Sequence, residues 1–328
     1  KLGHVKWQTT SPAAPTSTAL AAGTPLPAPA KPLPTMPALD IEVGALELDG
    51  RQLGTLNLQA AHRAHAQGGA DWHLNQLTLK VPEAQLVGSG DWASASTSPS
   101  GGTPGTRHTG LQFTLDVNDT GALLARFGMP DVFRGGKGQM KGQLNWQGPP
   151  YALHTPSLSG QLNLNLAAGQ FLRADPGIAK LLGVLSLQSL PRRLTLDFSD
   201  VFTQGFAFDF VRGDAVVSKG VATTNNLQMK GPTAAVLLEG TADIGTETQD
   251  IRALVIPELN AGTASLIATV VNPAVGLGTF LAQAFLRQPL IKASTQTFHI
   301  HGSWSDPQVD RVRTASDDSP LPIARTPE

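Results

Sequence analysis

Alternation of apolar and polar residues, repeated run after run, constrains this chain more than any motif in it. Leu56 and Leu58 alternate with Thr55, Asn57 and Gln59, and Leu77, Leu79 and Val81 alternate with Thr78 and Lys80. Leu111, Phe113, Leu115 and Val117 alternate with Gln112, Thr114 and Asp116, and Leu162, Leu164 and Leu166 with Asn163 and Asn165. A period of two places the apolar side chains of an extended strand on one face and the polar ones on the other. Gly, Asp or Asn separate the runs at short spacing, which favours an antiparallel meander over a parallel sheet with helical crossovers. The expected fold is mainly β, a long antiparallel meander forming a curved, open, taco-like sheet with an apolar groove. Two or three helical insertions interrupt it.

Those insertions have their own signals. Asp119-Thr120-Gly121 leads into Leu123, Leu124 and Phe127, with Gly128 placed to end the helix. Asp175 can cap a second helix with Pro176 at its first position, and Ile178, Leu181, Leu182 and Leu185 then recur at helical spacing up to Pro191. The third stretch, 259–286, contains no charged residue and is split by Asn272-Pro273. Neither half is long enough to cross a bilayer core of about 30 Å.

Composition fits a sheet with a neutral polar face. Only 15% of the 328 residues are charged, and 24 Lys+Arg stand against 25 Asp+Glu. Nucleic-acid binding needs a basic surplus, so it is excluded as a partner class. The absence of cysteine removes disulfides, thiol catalysis and cysteine-held metals. Residues 1–8 read as the end of a preceding unit, 9–37 as a Pro/Ala/Thr-rich linker, and 314–328 as a disordered tail. The domain between, 38–313, carries a flexible Ser/Thr/Gly-rich loop at 93–109. The chain starts on Lys1 without a secretion signal and reads as a fragment whose anchor lies elsewhere. Gly90-Asp91-Trp92, Gly142 before Trp146, and Gly302-Ser303-Trp304 each close a strand on a Trp after a Gly. A Gly in a strand marks a bend, and the Trp can cap the core there.

No catalytic constellation emerges. His62 with His65, and His299 with His301, lack a third ligand at metal spacing, so no metal is expected. Asp197 and Asp200 follow Arg192 and Arg193 and read as a charge cluster rather than a paired-carboxylate site. Gly88-Ser89-Gly90 falls short of a nucleophile elbow, and Gly135-Gly136-Lys137-Gly138 precedes a strand where a phosphate loop would precede a helix. The chain is therefore expected to be no enzyme and to use no cofactor. Its unusual feature is Phe206, Phe208 and Phe210 at alternate positions, with Phe198 and Phe202 before them. These could be core packing, or they could line a groove for acyl chains.

The segment from Phe171-Leu172-Arg173-Ala174-Asp175-Pro176-Gly177 to Gly205-Phe206-Ala207-Phe208-Asp209 resembles the C-terminal region of the AsmA-like family. So do Met229-Lys230-Gly231-Pro232, Asn272-Pro273-Ala274-Val275-Gly276 and Gly302-Ser303-Trp304-Ser305-Asp306-Pro307. The resemblance implies a periplasmic part of an inner-membrane-anchored protein of a Gram-negative bacterium, similar to bridge-like lipid-transfer proteins. It implies glycerophospholipids as cargo from inner to outer membrane, an anchor outside this piece, and outer-membrane contact at the C-terminal end. From alternation, the groove candidates are Leu111, Phe113, Leu115, Leu162, Leu164, Leu166, Phe206, Phe208 and Phe210. In the charge-free stretch, Leu266, Ile267, Leu277, Phe280, Leu281 and Phe285 either cap the sheet end or gate the groove and touch membrane. The alternative is an envelope assembly module that binds periplasmic or outer-membrane proteins without carrying lipid.

Overall fold

The computed structural model describes residues 2–7, 37–48, 50–64, 70–94, 107–172, 206–232, 234–257 and 295–312. They form one sheet whose strands lie side by side in chain order. The strands are β1 (Leu2–Trp7), β2 (Leu39–Leu48), β3 (Arg51–Ala64), β4 (Ala70–Val81), β5 (Ala84–Ser94), β6 (Arg107–Val117), β7 (Phe133–Gln147) and β8 (Ser159–Phe171). There follow β9 (Phe206–Ser218), β10 (Val221–Lys230), β11 (Ala234–Asp243), β12 (Thr248–Pro257), β13 (Gln296–Ser303) and β14 (Pro307–Val312). From β2 to β14 every neighbouring pair is antiparallel, and among the described residues the first and last strands do not close a barrel. Residues 2–7, read as the end of a preceding unit, pair in parallel with β2 and so extend the same sheet. Ser94 pairs with Arg107, so both ends of the expected 93–109 loop are strand.

In such a meander the connections alternate between two long rims. Residues 118–132 lie on one rim, and 173–205 and 258–294 start and end on that same rim. The second and third expected helical insertions fall within those last two stretches, outside the described residues, as do the tail and nearly all of the linker.

The first insertion contains a helix, α1 (Thr120–Arg126). The Asp119 carboxylate accepts a hydrogen bond from the Ala122 amide at 3.0 Å, which satisfies one of the free donors at the helix start. Gly128 follows the helix with φ +85°, a conformation that glycine adopts without strain. Arg126 fastens the helix to the β4–β5 turn. Its Nε donates to Glu83 Oε2 at 2.9 Å, one terminal nitrogen to Glu83 Oε1 at 2.6 Å, and the other to the Gln52 carbonyl at 2.9 Å. The hydrogen bond from Arg126 holds the Glu83 carboxyl below its ordinary pKa, against the opposing effect of burial. A depressed carboxyl contributes stability that is complete above its unfolded pKa and is lost as pH falls through the folded value. Arg126→Ala is accordingly expected to cost about 1–2 kcal/mol at pH 7. In urea titrations the cost should shrink as the pH is lowered until Glu83 is protonated.

The apolar face is packed at both rims. On one side Phe133, Leu166, Phe206, Phe208 and Val211 form a core continuous with Val236, Val255, Phe298 and Ile300, and Leu124 of α1 joins it. On the other, Trp72 and Trp92 face each other across β4 and β5, and Trp146 packs with Leu158 and Val217. Trp72 and Trp146 donate their indole N–H to the carbonyls of Pro37 and Pro149, at 3.0 and 3.1 Å. Two of the three expected Gly–Trp strand endings thus cap core. Trp304 differs: it sits in the β13–β14 turn and is 45% exposed.

Candidate functional site

Directly paired residues on neighbouring strands share a face of the sheet. The register therefore sorts the alternating side chains into rows that cross the strands. One row runs Leu77–Gly88–Phe113–Gly142–Leu162–Ala215 over β4 to β9. The next runs Leu79–Leu86–Leu115–Met140–Leu164–Gly213, flanked by Gly90–Leu111–Leu144–Gly160–Val217 and Val81–Ala84–Val117–Gly138–Leu166–Val211. Six groove candidates are thus brought together across β7. Phe113 shares a row with Leu162, Leu115 with Leu164, and Leu111 and Leu166 sit in the rows to either side.

Accessibility divides the candidates. Leu111, Phe113, Leu115, Leu162 and Leu164 are half-buried, so each keeps apolar surface open. Leu166, Phe206 and Phe208 are 9%, 2% and 3% exposed and belong to the packed core. The Phe208 ring lies 5.3 Å from that of Phe133 and 5.5 Å from that of Phe171, which leaves no room for a ligand between them. Phe210 is placed differently from its neighbours. The Arg212 guanidinium lies 4.0 Å over its ring, and Val211 takes the core position that alternation would give to Phe210. The break in alternation has a backbone cause: opposite Asp209, Ala168 on β8 has φ +33° and interrupts the regular pleat. The gate or membrane-contact candidates Leu266, Ile267, Leu277, Phe280, Leu281 and Phe285 lie outside the described residues.

Met140 and Leu144 escaped the reading of alternation although they occupy the same rows. In β7 the intervening apolar-face positions are Gly138 and Gly142, so the strand lacks a visible period. Gly142 is there because of a close approach. A Cβ on it would run into the Phe113 ring and come 2.8 Å from Leu162 Cδ2. Gly142→Val should therefore lose about 1–3 kcal/mol through overpacking. The exposed Ser89→Ala should stay within about 0.5 kcal/mol in the same urea denaturation.

The opposite face is wet. A cavity of about 950 Å³ crosses it over β4 to β9, lined by Gln112, Lys141, Gln143, Gln161, Asn163 and Asp214 among others. Asn163 donates to Asp214 at 2.8 Å. Amides and charges of this kind keep their water, and with only Val87 and Val216 exposed among them this face offers an acyl chain less continuous apolar surface than the rows do. His299 and His301 also share this face, with rings 4.7 Å apart, and each pairs with a carboxylate, Asp250 at 2.8 Å and Asp310 at 2.9 Å. Among the described residues no group of His, Asp and Glu is arranged to hold a metal ion.

The sheet and its apolar rows can be compared with known proteins. The chain matches the family described as YhdP protein over residues 4–309. It belongs to the YhdP family. It is similar to the intermembrane phospholipid transporter YhdP of Escherichia coli strain K12, with 29% identity over 230 residues. That alignment covers 70% of this chain and 18% of the relative, so the chain spans less than a fifth of that protein's length. No solved structure matches the chain. The YhdP-family match takes in β2 through β13 whole, and with them all four apolar rows.

Proposed function

We propose that this chain carries glycerophospholipid from the inner to the outer membrane of a diderm bacterium, without covalent chemistry, along the apolar face of its sheet. The observation that carries the reading is the pair of largely half-buried central apolar rows crossing β4 to β9, flanked by two more, with no charged side chain among them. An acyl chain laid on such rows leaves water at about 0.8 kcal/mol per buried CH₂, while its headgroup stays hydrated beyond the rim. Movement along the sheet needs similar affinity at each step, and repeated rows of Leu, Met and Ala supply it better than one deep pocket. The name of the curated relative supports phospholipid as the cargo. The expected setting is the periplasm, between the two membranes that an intermembrane transporter serves.

The assembly-module reading keeps one observation in its favour. Among the described residues β14 ends the strand order, with Val312 44% exposed, and a sheet edge can recruit a partner strand. Organic extraction and native mass spectrometry of the purified chain separate the two. Co-purifying phospholipid is the expected result. A lipid-free chain in a stable complex with an envelope protein would favour the module.

A further inference from the structure

Along β6 the apolar face changes character from one rim to the other. Read at alternate positions from the rim opposite α1, it runs Arg107, Thr109, Leu111, Phe113, Leu115 and Val117. At about 3.4 Å per residue, Arg107 to Thr109 covers about 7 Å and Leu111 to Val117 about 20 Å. One leaflet of a bilayer has about 15 Å of hydrocarbon under about 5–7 Å of headgroup. The strand thus presents a cation, then a hydroxyl, then apolar surface, in the order and over lengths that accommodate one phospholipid.

The Arg107 end is built to hold a group in place. The Gly148 amide donates to the Arg107 carbonyl at 2.9 Å, and Thr109 Oγ1 donates to the Gly148 carbonyl at 2.7 Å. The half-buried Arg107 places its guanidinium 4.4 Å over the Trp92 ring, which fixes the plane of the group. Guanidinium held by its flat face keeps its N–H edge for an anion, and that edge matches phosphate. Trp92 supplies a second donor at this corner. The indoles of Trp72 and Trp146 reach carbonyls, whereas Trp92 Nε1 is buried with no acceptor among the described residues. A buried donor without a partner is costly, and a phosphate oxygen is an acceptor. Leu111, where the apolar surface begins, packs against the same tryptophan cluster. At the far end of β6, Val117 is buried, and α1 closes that rim with Leu124 against the core of Phe133 and Phe208.

We propose that phospholipid lies along the strands of this face, with its phosphate at Arg107 and Trp92 and its acyl chains directed toward α1. The orientation rests on the carrier reading and adds to it which rim takes the headgroup. Each acyl chain then crosses all four apolar rows.

Phosphatidylglycerol carrying a diazirine on its headgroup or at the end of one acyl chain tests the orientation on the full chain. After loading and irradiation, labelled peptides are mapped by mass spectrometry. The headgroup probe should label peptides that contain Trp92, Arg107 or Trp146, and the chain-end probe those that contain Val117 or Met140. The reverse map would overturn the proposal. Arg107→Gln tests the phosphate contact, with circular dichroism as the check on folding. It should weaken retention of phosphatidylglycerol roughly tenfold, as loss of a hydrogen bond between charged groups does. Retention of diacylglycerol, which has no phosphate, should be unchanged. Equal loss of both lipids would make Arg107 a packing residue and overturn the contact. So would binding of inorganic phosphate that Arg107→Gln abolishes while phosphatidylglycerol is retained as before, since the corner would then serve the free ion. Capture of neither lipid would remove the carrier reading itself, and the orientation with it.

Discussion

Leu164→Asp is expected to abolish lipid transfer while leaving the sheet folded. Leu164 sits in the middle of its row between Met140 and Gly213, half-buried, with apolar surface still open. A carboxylate there must either be desolvated beneath an acyl chain or hold water in the path. Burying an unpaired polar group costs about 2–7 kcal/mol, which lowers occupancy of that step roughly 30-fold or more. The folding cost is smaller because the position is open on one side and the new charge can stay hydrated in the free chain. Gln112→Asp, exposed on the wet face, should leave transfer between vesicles unchanged. Circular dichroism of both variants should match the parent.

Phe208→Ala should show the reverse pattern, a large loss of stability and little direct effect on lipid. Phe208 is 3% exposed and locked between Phe133 and Phe171. Removing a buried Phe leaves a cavity and costs about 3–5 kcal/mol, a large part of the stability of any domain. Urea midpoints should fall accordingly. Transfer measured per folded molecule should fall far less than with Leu164→Asp. Equal loss of transfer at both positions, with Phe208→Ala still stable, would mean that this ring lines the path rather than the core.

The contrast between those residues marks what alternation conveys and what it hides. In β6 and β8 the pattern of Leu and Phe against Gln, Thr and Asn placed six candidates on one face, and the register puts them in shared or adjacent rows with β7 between. Alternation carries no information on depth, so open Leu164 and closed Phe208 looked alike. It also assumes an unbroken pleat, and the left-handed Ala168 on the neighbouring strand ends that assumption at Phe210. A non-glycine residue with positive φ has no signature in a single sequence. In β7 the opposite failure occurs: Gly142 makes room for the Phe113 ring and Gly138 for the backbone of β8, and together they erase the period that would have revealed Met140 and Leu144. The α1 cap was legible because Asp119 and Gly128 act locally. The Arg126–Glu83 clasp was not, because its partners are far apart in the chain.

The central claim is that phospholipid travels on the apolar rows and not on the wet face. The direct measurement places a photo-crosslinking residue at Leu164 and, in a second chain, at the adjacent Asn163, whose side chain points to the other face. Both are irradiated in cells, and the purified protein is analysed for attached lipid. Burial of even two methylene groups at one site and none at the other predicts roughly tenfold more capture at Leu164. Equal capture at both positions, or capture at Asn163 alone, would contradict the account.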